Sequence, residues 1–291
     1  MVRDSWSIQN RYCMVTGPTS GIGRETASAL YRQGAHLVLA GRNRQKLETL
    51  AQELRALPQG GEIHLLVGDF NSLQDVSKLA RDYLAMGLPL HVLINNAGTF
   101  TYKRELTEDG FERMFGVNHL APFLLTNLLL PRLDDSAPSR IINVSSFGYA
   151  FVRGMHFDDL MFERGFIGFR AYAHSKLAVM LSTSHLNERL QNPDIAVCSL
   201  HPGLVATGIG TQNGWFSKIT SAILAPFCKT PQEGAMTSIH AATAQDPREI
   251  AGQYLVNGKP RRPRSVALDR NAAALLWQRS EEYVEPFRRD F

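Results

Sequence analysis

Tyr172-Ala173-His174-Ser175-Lys176 sets a phenol and an ammonium four residues apart, a spacing that brings both to one face of a helix. A free tyrosine titrates at about pH 10 and is a poor base at neutral pH. A nearby ammonium favours the phenolate, so Lys176 is expected to lower the Tyr172 pKa. Ser145-Ser146 ends an apolar run, where open α/β sheets place groups that touch ligands. Far upstream, Thr16-Gly17-Pro18-Thr19-Ser20-Gly21-Ile22-Gly23 separates a strand-like stretch (Tyr12, Met14, Val15) from a helix-like one (Ile22, Ala27, Leu30). A strand, a glycine-rich turn and a helix in that order present backbone N–H groups to a pyrophosphate. A nucleotide cradle with a Tyr–Lys acid/base pair is the equipment for moving a hydride and a proton together.

These groups need a scaffold, and the periodicity supplies one. Apolar strand-like runs lie near 11–16, 36–40, 63–67, 91–95, 140–145, 195–200 and 253–256. Helix-period segments lie near 21–33, 43–56, 72–86, 107–132, 168–190 and 231–244. The strands are continuously apolar (Leu37-Val38-Leu39, Val92-Leu93-Ile94) rather than alternating, as in a parallel sheet covered on both faces. The expectation is a single doubly wound α/β (Rossmann) domain over 1–291, with a mainly parallel sheet and helices on both faces. Residues 259–291 are set apart as a C-terminal extension.

The glycine run reads Gly-x-x-x-Gly-x-Gly rather than Gly-x-Gly-x-x-Gly, so its placement between strand and helix carries more weight than its pattern. An acidic residue after the second strand bonds the ribose of NAD, whereas an arginine there accommodates a 2′-phosphate. This chain has Leu39-Ala40-Gly41-Arg42-Asn43, and the Arg42 guanidinium suits a phosphate, so NADP is expected over NAD. Asp69, in Gly68-Asp69-Phe70 at the end of the third strand, either caps the next helix or accepts from an adenine amino group. Asn95-Asn96-Ala97-Gly98 ends the fourth strand, and Gly98 permits close backbone approach to a ligand; the asparagines read equally as a strand-end turn.

In this order the residues resemble the short-chain dehydrogenase/reductase family over about 10–258. The matching pieces are Thr16-Gly17-x-x-x-Gly21-Ile22-Gly23, Asn95-Asn96-Ala97-Gly98, Asn118, Ser146, Tyr172-x-x-x-Lys176 and His201-Pro202-Gly203. The resemblance implies that Tyr172 exchanges the proton and that Ser146, the second of the two serines, polarises the carbonyl or alcohol. Lys176 would hold the nicotinamide ribose and Asn118 would anchor a water relay through Lys176. It implies an NADP(H) site made by Gly17, Thr19, Ser20, Gly21, Ile22, Gly23, Arg42, Asp69, Phe70, Asn95, Ala97, Gly98, Pro202, Gly203 and Val205, with Tyr172 and Lys176. Substrate would meet Ser146 and Phe147.

A narrower resemblance is to the retinol dehydrogenase-like branch. It rests on Leu106-Thr107-Glu108-Asp109-Gly110-Phe111, Gly116-Val117-Asn118-His119-Leu120, His156-Phe157-Asp158-Asp159-Leu160 and Ala171 to Ala178. A lipophilic alcohol and its aldehyde or ketone are the implied substrates. The resemblance implies a substrate lid over 204–230, where Trp215, Phe216, Ile219, Ile223, Leu224 and Phe227 form an apolar set at near-helical spacing; the same side chains read also as ordinary core or a dimer contact. Membrane-bound members carry a hydrophobic N-terminal anchor; here Met1 to Asn10 are polar, and neither a secretion signal nor a membrane span is expected.

Composition agrees with this reading and excludes others. The 291 residues are 44% hydrophobic and 20% charged with net charge +4, too little charge to argue for nucleic acid. Lys259, Arg261, Arg262 and Arg264 cluster locally, as a solvated loop or a contact with an anionic membrane surface. Three cysteines, Cys13, Cys198 and Cys228, show no disulfide framework or metal spacing, so a reducing, cytoplasmic setting without metal is expected. A homodimer is left open. The rival from another class is a catalytically silent NADP-binding regulator, which loss of Tyr172 or Lys176 would favour. An esterase would need a Gly-x-Ser-x-Gly elbow, which this sequence lacks.

Overall fold

Along each central strand, successive side chains enter opposite apolar layers. Met14, Val38, Leu93, Ile141 and Val197 face one core, while Cys13, Val15, Leu37, Leu39, Ile94 and Ile142 face the other. That is the double burial implied by the continuous apolar runs. A computed structural model describes residues 6–203 and 229–289. Its strands are β1 (Tyr12–Thr16), β2 (His36–Gly41), β3 (Ile63–Val67), β4 (Val92–Asn95), β5 (Ser139–Val144), β6 (Ile195–His201), β7 (Tyr254–Val256) and β8 (Lys259–Arg261). They form an eight-stranded sheet in the order β3-β2-β1-β4-β5-β6-β7-β8, parallel except for the antiparallel β7–β8 edge. The fold is a single doubly wound α/β domain, and its strand order reverses between β1 and β4, where such sheets open a ligand crevice.

Helices α1 (Gly21–Arg32) and α2 (Arg44–Arg55) cover one face together with α6 (Pro231–Thr243). The other face carries α3 (Leu73–Ala85), α4 (Arg113–Asp135), α5 (Gly168–Arg189) and α7 (Arg270–Val284). Side-chain caps set several helix starts: Asn43 accepts from Lys46 N–H, Ser72 from Asp75 N–H and Asp269 from Ala272 N–H. Each satisfies an N–H that the first helical turn leaves without a partner. Arg140, buried in β5, donates to the carbonyls of Ala241 and Ala244 at the end of α6 and lies 4.0 Å from the centre of the Trp6 ring.

Three details differ from the sequence reading. The helix expected from 107 starts at Arg113, because buried Glu112 accepts from Met114 and Phe115 N–H and stops the preceding turn from joining it. α4 is long and apolar enough to cross a membrane, but 78% of that window is buried inside the domain, the mark of a core helix. The C-terminal extension holds β8 and α7, and Ala273, Leu276, Trp277, Ser280 and Val284 bury one side of α7. That spacing is legible in the sequence; burying each large apolar side chain contributes about 1.5–3 kcal/mol.

Candidate functional site

β5 delivers two serines with different fates. Ser145 is buried and donates to the Lys176 carbonyl at 3.0 Å. Ser146 begins a short turn, Phe147–Phe151; its Oγ accepts from Gly148 N–H at 3.1 Å, and the serine is near enough to Tyr172 to lower the phenol's pKa. A Cβ on Gly148 would stand 3.3 Å from the Tyr172 ring and 3.4 Å from Ser146 Oγ, so a larger residue would crowd both. Phe147 N–H donates to His201 Nδ1 at 3.1 Å. His201 is thus a neutral acceptor, its pKa pushed down to about 4 by burial and by Lys229. The sequence reading saw His201 only as part of a motif; its acceptor role depends on a pairing between residues 147 and 201.

α5 carries Tyr172 and Lys176. The Lys176 ammonium donates to the Val144 carbonyl at 3.0 Å and sits 5.8 Å from the Tyr172 ring centre. Burial pulls its pKa down to about 8. The expectation that Lys176 lowers the Tyr172 pKa is corrected here: burial raises the phenol, and Ser146 offsets that only in part. The ammonium is directed at a backbone carbonyl rather than the phenol, and desolvation outweighs it. At neutral pH Tyr172 is a protonated donor.

Asn118 lies in a π-turn, Gly116–Leu120, inside α4, a local widening common at functional sites. Its Nδ2 donates to the Thr99 carbonyl and to Ser175 Oγ, and its Oδ1 accepts from Thr99 N–H at 2.7 Å. Both amide donors are therefore occupied in fixing the loop after β4 to α5. A Cβ on Gly98 would come within 3.2 Å of Asn118 Oδ1 and 3.6 Å of Lys176 Nζ, so Gly98 leaves the space between those groups and the crevice open. Next to Asn118, His119 Nε2 meets Ser280 Oγ of α7 at 2.7 Å. Ser280 donates to the Leu276 carbonyl, so it accepts from His119, whose buried ring is neutral with a pKa near 3.

At the β1 end, Gly17 and Gly21 adopt left-handed φ of 64° and 54°, a conformation glycine takes without strain. Thr16 Oγ1 accepts from the backbone N–H groups of Asn96 and Ala97, and Asn96 Nδ2 donates to the Thr16 and Gly17 carbonyls. A Cβ on Gly23 would stand 2.4 Å from the Gly17 carbonyl oxygen. Ser20 precedes α1 without a side-chain cap, and the first turn holds no acid. Thr19 and Ser20 flank this opening, with Ile22 largely buried behind it. The N–H groups there remain available to an anion, so the cradle fits a dinucleotide pyrophosphate.

Of the remaining expected contacts, Arg42 is exposed just beyond β2 and stands 3.9 Å from Asp69. Asp69 does not cap α3; Ser72 does, and Asp69 accepts from Asn71 N–H. Phe70 points into the core. Asn95 is buried, its Nδ2 on Thr126 and Asn143, so its side chain ties β4 to β5 and to α4. Ala97, Pro202 and Gly203 line the ends of β4 and β6. Val205 and the apolar set from Trp215 to Phe227, together with Cys228, lie outside the described residues. Cys13 and Cys198 are free and buried, and no metal-holding group of His, Cys, Asp or Glu occurs among the described residues.

The family model for short chain dehydrogenases matches residues 11–215. Mouse (Mus musculus) retinol dehydrogenase 12 is 38% identical over 95% of this chain and 87% of its own length. Human (Homo sapiens) retinol dehydrogenase 13 is 38% identical over 96% of this chain and 86% of its own. Among solved structures, an uncharacterised protein of Mycobacterium paratuberculosis superposes with a TM-score of 0.76 at 31% identity, covering 97% of this chain and 96% of that one. A Beutenbergia cavernae protein described as an NAD(P)-dependent gluconate 5-dehydrogenase, solved with bound NADP, has a TM-score of 0.70 at 25% identity over 86% and 96% of the two chains.

Proposed function

The chain belongs to the short-chain dehydrogenase/reductase family, in its retinol dehydrogenase-like branch, and from that premise we propose an NADP(H)-dependent oxidoreductase that interconverts a lipophilic alcohol and its aldehyde or ketone. The observation that carries the reading is the convergence of Ser146, Tyr172 and Lys176 at the end of β5. A bound nicotinamide dinucleotide supplies or accepts the hydride. Ser146 and Tyr172, neighbours at the end of β5, together grip the substrate oxygen. Tyr172, kept as a phenol by burial, gives its proton to that oxygen in reduction and regains it in oxidation. Lys176, anchored on Val144, keeps two of its three N–H donors for ribose hydroxyls and stabilises the phenolate that proton transfer leaves. Asn118 and Gly98 shape the ground beside it.

Arg42 supports NADP as the partner. Its neighbour Asn43 is occupied in capping α2, and among the described residues Arg42 itself has only the long, exposed contact to Asp69, which is worth little. Support for a lipophilic substrate comes from Phe147, Phe100 and Phe151 around Ser146 and Tyr172, and from relatives named retinol dehydrogenases. The test is a panel of retinoids, steroids, quinones and aliphatic aldehydes assayed with NADPH and NADH. KM should fall about fourfold per methylene along the aldehydes. A flat series, or faster turnover of sugars, overturns the lipophilic assignment; NADPH binding with no turnover of any carbonyl favours the silent regulator.

A further inference from the structure

A cavity of about 350 Å³ opens beside the first turn of α5, with an aromatic wall of Phe151 and Phe169 and a basic wall of Arg153, His156 and Arg170. No acid lines it. Arg153 makes no hydrogen bond or ion pair among the described residues, and Arg170 has only the imidazole of His156. Asp159 in the same loop is turned to other work: it accepts from Glu163 and Arg164 N–H and faces the Arg164 guanidinium. Behind His156, at 4.6 Å between ring centres, His174 is buried with neither nitrogen partnered. α5 starts here with no side-chain cap and no acid in its first turn, so its positive end adds to the same field. Two guanidiniums and the His156 imidazole line the cavity with no acid among the lining residues.

The cavity is joined to the chemistry by rings. Phe169 lies 5.4 Å from Phe151, and Phe151 5.6 Å from Phe147, the residue after Ser146. Phe151 and Phe169 are 63% and 51% exposed, more than core packing accounts for. We propose that this cavity binds the oxyanion end, carboxylate or phosphate, of an amphiphile whose chain runs along Phe169, Phe151 and Phe147 toward Ser146. Guanidinium forks suit either oxyanion. The proposal rests on the oxidoreductase reading for the consequence that preferred substrates are lipophilic carbonyl compounds with an anionic far end; the binding itself does not need turnover.

The experiment has two arms. In the first, decanoate, decyl phosphate and decanol are titrated against the protein with NADPH by calorimetry, for wild type and for the Arg153→Ala/Arg170→Ala double variant. The anions should bind wild type about 10–100-fold tighter than decanol, a preference the double variant loses. NADPH affinity checks that the variant is folded, and Arg153→Lys should keep part of the preference. The better of the two anions identifies the oxyanion. In the second arm, kcat/KM for ω-oxodecanoate is compared with that for its methyl ester. The acid should be favoured at least about tenfold, through KM rather than kcat, and the Arg153→Ala/Arg170→Ala variant should bring the ratio near one. Equal affinity for decanoate, decyl phosphate and decanol overturns the proposal even when aldehydes are reduced. Anion preference without turnover of any aldehyde keeps the cavity and overturns the oxidoreductase reading instead.

Discussion

At the β5 end of the crevice the groups with a proposed chemical role are buried or half-buried and held by neighbours from other segments. Ser146 is tied to Gly148 and lies beside Tyr172, Lys176 is tied to Val144, and Asn118 to Thr99 and Ser175. At the β2 end, Arg42 is exposed and among the described residues pairs only with Asp69, at 3.9 Å. Proton transfer needs groups aligned and desolvated before the substrate arrives, because burial and alignment decide which protonation state is present. Recognition of a 2′-phosphate asks only that a guanidinium reach a charged group at the rim, and a solvated side chain does that. One end should therefore be intolerant of change and the other exchangeable.

The largest effect is expected at Tyr172→Phe. It should lower kcat by about 10²–10⁴-fold while NADPH affinity stays within a few-fold, since the hydroxyl serves the proton and not the nucleotide. Lys176→Ala should damage both. In wild type, reductive kcat/KM should fall as pH rises through about 8, where Lys176 loses its proton. Stopped-flow NADPH binding and a steady-state pH profile check these outcomes; a Phe variant with more than about a tenth of wild-type kcat places the proton donor elsewhere.

Arg42→Asp should shift the NADP/NAD ratio of kcat/KM by about 10–100-fold, by removing a charge-assisted contact and repelling the 2′-phosphate, with kcat on NADH little changed. Equal wild-type kcat/KM for NADPH and NADH would remove the premise. The smallest effect is expected at Ser280→Ala, which strips the acceptor from buried His119 Nε2. A stranded buried donor costs about 1–3 kcal/mol, read as a lower Tm, with a modest loss of kcat because the π-turn carrying Asn118 adjoins His119. Wild-type Tm in that variant would show that α7 does not brace the site.

The doubly wound sheet, the glycine turn before α1 and the pairing of Tyr172 with Lys176 on α5 were legible in the sequence, because each is a local pattern. Double burial writes itself as continuous apolar runs, a phosphate cradle as glycines between strand and helix, a shared helix face as a four-residue spacing. α7 was legible too, in Ala273, Leu276, Trp277, Ser280 and Val284, but a helix with no motif draws little notice. Other features exist only once distant segments meet. Ser145 turns inward to Lys176 while Ser146 meets Tyr172, and His201 accepts from Phe147. Burial raises the Tyr172 pKa that a two-residue argument would lower, and Arg153, His156 and Arg170 gather around one cavity. Desolvation and long-range hydrogen bonds depend on what surrounds a group in space. The chain order alone carries which groups are present and which face they share; the packed domain decides their partners and their protonation.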